Sequence, residues 1–130
     1  DLGYATKLII QRVRTANVLL LETNHDLKLL QEDRHRPWSV KQRILSRHGH
    51  LSNDAAAEVA EQIVSADLNR VYLGHLSSDC NRPELAHATM AQRTAKLGAT
   101  HIHIEAAAQD VPAPTFTLDH TCRSQQELLL

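Results

Sequence analysis

Hydrophobic positions near the start of the chain change from a helical spacing to a continuous run. The helical spacing is carried by Ala5, Leu8, Ile9, Val13 and Ala16. The run 18–21 follows it, and an apolar run of this length between turn-forming residues predicts a strand that is buried on both faces. It is the longest uninterrupted apolar run in the sequence and is far too short to span a membrane.

Helical and strand-like patterns continue to alternate along the rest of the chain. Helices are predicted over 27–31, 38–47, from Ser52 or Asn53 onward, and over 84–97; strands are predicted over 70–74, 100–105 and, at the sheet edge, 115–118. Gly49 is placed as a left-handed helix cap, Gly98 ends the last helix, and Trp38 is expected in the core. Helices that alternate with strands predict an α/β layer structure.

Polar clusters follow the predicted strands at the points where those strands end. The segment 22–26 follows the first strand, 75–77 follows the second, and 48–53 forms a tight loop between helices. Ligands bind at the carboxyl ends of strands in open α/β sheets. Carboxylates and imidazoles that meet there suit a divalent metal such as zinc or manganese.

A structural explanation stays open for each of these candidates. Asp1 precedes a helix and would serve equally as its N-terminal cap. A histidine after a strand, such as His75, is commonly a hydrogen-bonded structural residue. His48 and His50 flank a glycine and could instead cap the end of a helix.

Composition and charge narrow the classes of function. With 14 Lys and Arg against 15 Asp and Glu, the net charge of −1 excludes a bulk polycation, and 42% apolar residues indicate a globular domain. Two widely spaced cysteines are typical of a reduced, cytoplasmic protein. The segment 34–53 nevertheless carries five fixed cations and no acid. Such a segment is either a solvated face or a surface that contacts phosphates.

Four strings of the sequence together resemble the C-terminal half of metallo-β-lactamase-fold hydrolases. They are DLG before the first helix, LLLETNHD, KQRILSRHGHLSN and VYLGHLSSDCNRPELA. The resemblance is to the bacterial metallohydrolases typified by a 5′–3′ double-stranded DNA exonuclease, with ribonuclease Z as a more distant relative. It covers residues 1–118, interpreted as the C-terminal half of that domain, and leaves 119–130 as a poorly ordered tail.

The resemblance implies a role for several residues of these strings. Asp1 matches an acidic residue that bridges two divalent metal ions, and His75 matches the last metal-binding histidine. His50 lies where nuclease relatives have a histidine that protonates the leaving group or holds the scissile phosphate. His25 and Glu22 match a polar loop that lines the same cleft, with a role in catalysis.

Supporting roles are expected around that cleft. Asn24, Asp26 and Ser77 are expected to brace the loops that carry the site residues. The basic segment is expected to touch backbone phosphates of a nucleic acid through Arg36, Lys41, Arg43 and Arg47.

The resemblance also implies residues that this sequence does not contain. The first metal motif of the superfamily, HxHxDH, is absent, so Asp1 and His75 are only part of the expected ligand set. We therefore expect an N-terminal half that carries HxHxDH, and we expect the 130-residue chain alone to be inactive, since a catalytic zinc normally has three protein ligands. The expected fold is one αβ half of an αββα sandwich: a mixed sheet with helices packed on one face.

The resulting hypothesis is a metal-dependent hydrolase of phosphodiester bonds. A hydroxide activated by two divalent ions, zinc or manganese, would attack phosphorus, and DNA is the expected substrate of an exonuclease reaction. No membrane association is expected. Two alternatives stay open: a small-molecule phosphodiesterase or other hydrolase of the same fold, and a non-catalytic α/β interaction module.

Overall fold

The computed structural model describes residues 2–118, in which helices and strands alternate as predicted. The elements are α1 (Lys7–Val13), β1 (Val18–Glu22), α2 (Leu27–Glu32), α3 (Trp38–Ile44), α4 (Asn53–Ile63), β2 (Arg70–Gly74), α5 (Pro83–Lys96) and β3 (His103–Ala106). The predicted tail 119–130 and Asp1 lie outside the described residues. None of the helices in the described part of the chain has the length and apolar content needed to cross a membrane.

The three strands form one parallel sheet in the order β1-β2-β3. Val18 pairs with Arg70, and Arg70 pairs with His103. The prediction of an α/β structure is confirmed, whereas the mixed sheet is wrong for residues 2–118. Each strand-to-strand connection contains at least one helix, and a crossover of this kind returns the chain to the same end of the sheet, which makes neighbouring strands parallel.

The hydrophobic core lies between one face of the sheet and the helices α4 and α5. Leu21, Val71 and Leu73 point to this side and are buried, in alternation with exposed or half-buried neighbours. The helices contribute small side chains and a few large ones: Ala56, Ala57, Val59, Ala60, Ile63, Ala86 and Met90. Helix α1 adds partly buried residues to the same cluster. Helices therefore pack on one face of the sheet, as predicted.

The opposite face of the sheet is open in the described residues. Leu20 points to this side and is 69% exposed, so the prediction that β1 is covered on both faces is wrong here. Arg70 extends across this face, forms an ion pair with Glu105 at 3.2 Å, and places its guanidinium 4.2 Å from the ring centroid of Phe116. Leucines of the same run in β1 thus lie in two environments, the buried core face and the open face, and their residue type does not distinguish the two.

The predicted edge strand over 115–118 is wrong, since this segment has no strand pairing in the structure. Pro112 and Pro114 lack the backbone N–H groups that a sheet ladder needs, so the chain passes β3 without extending the sheet. The third strand also begins later than predicted, at His103.

Helix α3 ends at Ile44, three residues before the predicted end. The turn after α3 is tight because residue 49 is a glycine: a Cβ at Gly49 would lie 2.0 Å from the carbonyl oxygen of Ile44. The predicted left-handed conformation of Gly49 is wrong, since its φ is not positive. The backbone N–H of His50 donates to the Ile44 carbonyl at 2.9 Å. This close approach sets the position of His50. Gly98, by contrast, does adopt a left-handed conformation (φ 72°) after α5, as a helix-ending glycine should.

The two faces of the sheet predict losses of different size for the same substitution, leucine to alanine. Leu73→Ala removes a fully buried side chain and is expected to lower the free energy of unfolding by about 2–5 kcal/mol. Leu20→Ala, on the neighbouring strand but on the open face, is expected to cost about 0.5 kcal/mol or less. Urea denaturation of the two variants measures both values, and equal losses would contradict the one-sided core.

Candidate functional site

The carboxyl end of β1 continues into an extended segment that lies between two other loops. On one side, the N–H of Asn24 donates to the Leu51 carbonyl at 2.8 Å and the N–H of Asn53 donates to the His25 carbonyl at 2.9 Å. On the other side, the N–H of Ser77 donates to the Asn24 carbonyl at 2.8 Å. These bonds bring the loop before α4 and the loop after β2 to the carboxyl end of β1.

A buried pair of amide side chains holds the same three segments together. Asn53 Nδ2 donates to Asn81 Oδ1 at 2.9 Å, and Asn81 Nδ2 donates back to Asn53 Oδ1 at 2.8 Å. Asn81 Nδ2 also donates to the Thr23 carbonyl at 2.7 Å, and the N–H of Arg82 donates to Asn81 Oδ1 at 2.9 Å. Both amides are satisfied and buried, so this pair fixes the loops with little freedom.

Glu22, the last residue of β1, accepts hydrogen bonds from two histidines. Its Oε1 lies 2.6 Å from His50 Nδ1 and 2.7 Å from His75 Nδ1. Its Oε2 accepts from the backbone N–H of Leu2 at 2.6 Å. One donor atom from each of the three side chains lies within 4.8 Å of the others, and the two imidazoles meet edge to face with centroids 5.1 Å apart. We call Glu22, His50 and His75 the Glu22 cluster.

The carboxylate determines which ring nitrogen of each histidine carries a proton. An ionised carboxylate only accepts hydrogen bonds, so Nδ1 of both rings must be the donor. In a neutral ring this leaves Nε2 as the nitrogen with the lone pair. Burial raises the pKa of Glu22, but the hydrogen bonds from Leu2, His75 and His50 outweigh it, and the net pKa is below the usual value. The carboxylate is therefore ionised at neutral pH.

His75 reaches the cluster from a left-handed backbone conformation. Its φ is 56°, which is uncommon for a residue other than glycine and costs about 1–3 kcal/mol. Asn24 Nδ2 donates to the His75 carbonyl at 3.0 Å, and the N–H of Ser77 is bonded to the Asn24 carbonyl. The Ser77 hydroxyl in turn accepts from the N–H of Cys80 at 3.2 Å. These contacts hold His75 in place.

His25 lies beside the cluster and is buried, with 1% of its surface exposed. Neither ring nitrogen has a hydrogen-bond partner among residues 2–118. Burial, followed by the charge of nearby His50, lowers the pKa of His25, so the ring is neutral at physiological pH. The neighbouring Asp26 accepts from the N–H of Leu29 at 2.9 Å and caps α2.

The predicted metal ligand Asp1 falls outside the described residues, so its pairing with His75 stays a prediction. Its neighbour in sequence, Leu2, is described and bonds Glu22 through the backbone. His75 and the predicted catalytic residues Glu22, His50 and His25 all lie at one edge of the sheet. The resemblance placed Glu22 and both histidines in one cleft, but it did not predict that Glu22 bonds both rings, because residues 22, 50 and 75 become neighbours only through the crossovers.

Two of the four predicted phosphate-contacting cations are engaged within the fold. Arg36 donates to Asp33 at 2.8 Å and to Asp79 at 2.7 Å, and this guanidinium lowers the pKa of Asp33 to about 2. Lys41 is buried, and its Nζ donates to the carbonyls of Gln31 and Asp33. These two side chains connect α2, α3 and the loop after β2.

Arg43 and Arg47 are exposed on the side of α3 and the turn that follows it. Arg47 stacks on Tyr4, with 4.6 Å between its guanidinium carbon and the ring centroid. Trp38 is 62% exposed, so its predicted place in the core is wrong: it begins α3 where that helix meets solvent. We call Tyr4, Arg43 and Arg47 the basic aromatic surface.

Comparison with known proteins identifies relatives of this chain. Exodeoxyribonuclease WalJ of Streptococcus pneumoniae (strain D39) is 41% identical over 96 residues, which cover 74% of this chain and 35% of WalJ. Exodeoxyribonuclease YycJ of Bacillus anthracis is 38% identical over 92 residues, which cover 71% of this chain and 34% of YycJ. No protein-family profile matches the chain. The chain thus spans about a third of the length of the curated relatives it matches.

The relatives confirm the resemblance to bacterial DNA exonucleases inferred from the four sequence strings. The two named proteins are exodeoxyribonucleases, and the chain is homologous to a segment of each.

Proposed function

We propose that this chain, homologous to a segment of the exodeoxyribonucleases WalJ and YycJ, is the C-terminal half of a metal-dependent hydrolase that cleaves phosphodiester bonds in DNA. The observation that carries the proposal is the Glu22 cluster, which gathers two imidazoles and a carboxylate at the carboxyl edge of a parallel sheet. The names of the relatives support a nuclease, and the short span of the match supports a longer protein.

The proposed complete fold is an αββα sandwich of the metallo-β-lactamase type. The open face of the sheet, where Leu20 is exposed, supports this arrangement because a second sheet would cover it. We infer that the covering half carries the HxHxDH motif. The described chain would then supply one wall of the active-site cleft.

The residue types of the cluster are ones that bind a divalent cation. Imidazole nitrogen and carboxylate oxygen are ligands of zinc and, with more oxygens, of manganese. In the proposed site His75 would hold the ion through Nε2, Asp1 would contribute its carboxylate, and Glu22 would keep the His75 ring in the required tautomer. When bound, such ions supply a hydroxide nucleophile at neutral pH. A carboxylate on the far side of a metal-binding imidazole also strengthens the ligand.

His50 is the proposed proton donor to the leaving oxygen. Its Nδ1 is bonded to Glu22, so its Nε2 is the nitrogen that would pass a proton to the leaving oxygen. In the complete enzyme His50→Ala is expected to slow catalysis by roughly a hundredfold or more while metal content stays nearly unchanged. His25 lines the same cleft.

The basic aromatic surface is the proposed DNA contact. Arg43 and Arg47 are exposed, with no acidic residue between them in the sequence, and the exposed ring of Tyr4 lies against Arg47. Arginines of this kind bind phosphates, and aromatic rings stack on bases. Arg36 and Lys41 would position this surface through their contacts within the fold.

Metal binding by the complete protein, which would carry the full ligand set, tests the proposed ligand. Titration with zinc in a calorimeter is expected to show binding by the wild type and at least tenfold weaker binding by His75→Ala, because a direct ligand is lost. His48→Ala is the matched control, since His48 is an exposed histidine of the same polar loop outside the cluster. The proposal fails if the His75 and His48 variants bind zinc equally. Catalysis is not expected from the 130-residue chain alone.

DNA binding tests the proposed substrate. The affinity of the chain for a short DNA duplex is expected to fall steeply with added salt, and Arg47→Ala should reduce the salt slope by about one unit if one phosphate contact is lost. Arg93→Ala is the control, since Arg93 lies on α5, is paired with Glu61 on α4, and is not part of the basic aromatic surface. A flat salt response would instead favour a small phosphodiester as substrate.

A further inference from the structure

We propose that a cavity beside the Glu22 cluster binds the nucleoside of the terminal nucleotide of a DNA strand. The cavity has a volume of about 320 Å³, and His50 and His75 form part of its lining. This inference rests on the proposed function, because the phosphodiester of that nucleotide would then lie against the two histidines.

The size and composition of the cavity fit a base and sugar. Small-molecule sites begin at about 300 Å³ and combine apolar walls with a few polar groups. Leu30 and Ile44 give the cavity an apolar wall, against which a planar base can pack. Ser77 and Ser78 add hydroxyl-bearing side chains to the lining.

His25 provides a second and independent indication of a ligand. Its ring lines the cavity, is buried, and has two nitrogens without a hydrogen-bond partner among the described residues. A buried polar atom left unsatisfied is costly, and native structures usually explain such a group by a bound water, ion or ligand. A neutral imidazole offers one donor and one acceptor, and a base edge or sugar hydroxyl that reaches the ring would satisfy one of them.

The charges of the wall favour the nucleoside over a second phosphate. The cation in the lining is Arg36, and its guanidinium is already bonded to the carboxylates of Asp33 and Asp79. Binding a phosphate there would require breaking those pairs and bringing two anions together. A neutral base and sugar make no such demand.

Nuclear magnetic resonance titration of the 130-residue chain tests this site. Thymidine and thymidine 5′-monophosphate are expected to shift the His25 ring signals, and inorganic phosphate is not. His25→Phe keeps the ring shape but removes both nitrogens, and Ser78→Tyr fills the cavity from an exposed position. Each is expected to raise the Kd for thymidine at least tenfold.

Ser39→Tyr is the matched control, because Ser39 is an exposed serine on α3 outside the cavity lining, and this variant should bind thymidine as the wild type does. Ser78→Tyr tests the site even if His25→Phe does not fold. The proposal is overturned if thymidine leaves the His25 signals unchanged, or if Ser78→Tyr binds it with wild-type affinity. A titration in the presence of a metal chelator separates this proposal from the metal site: thymidine should bind with the same affinity when no divalent ion is available.

Discussion

One ionised carboxylate, that of Glu22, accepts hydrogen bonds from both site histidines, and the rest of the site is arranged around this contact. Burial at the end of this strand, taken alone, would raise the pKa of the carboxylate. Here the N–H of Leu2 and the two imidazoles lower its pKa instead. The same bonds fix Nδ1 as the proton-bearing nitrogen of His50 and His75, so a single side chain sets the chemical form of two others.

This contact requires a rigid scaffold, because residue 22 ends β1, residue 50 lies in the loop before α4, and residue 75 lies in the loop after β2. The reciprocal Asn53–Asn81 amide pair ties the three loops, and the Gly49 turn places His50. His75 adopts a strained left-handed backbone, held by the amide of Asn24. Strain of this kind persists only where the surroundings determine it, and it clusters at functional sites.

Local patterns in the sequence were sufficient wherever one segment determines its own structure. Strand 70–74 was predicted with its observed bounds, and Ser52 caps α4 through the N–H of Ala55 as its residue type suggests. Predictions from local patterns failed where residues distant in the sequence determine whether a side chain is buried. Leu20 is as apolar as Leu21 but faces the open side of the sheet, and Lys41 is buried because two backbone carbonyls accept its ammonium protons. The resemblance brought Glu22, His25, His50 and His75 to one cleft, but their mutual contacts needed the structure.

The most direct test of the shared carboxylate is long-range ¹H–¹⁵N magnetic resonance of the histidine side chains in the wild-type chain, with His50 and His75 assigned by substitution with Gln. The account predicts that both neutral rings carry their proton on Nδ1 and show an unprotonated Nε2. A neutral ring of either histidine protonated on Nε2 would contradict it, since Glu22 could not then accept from that ring.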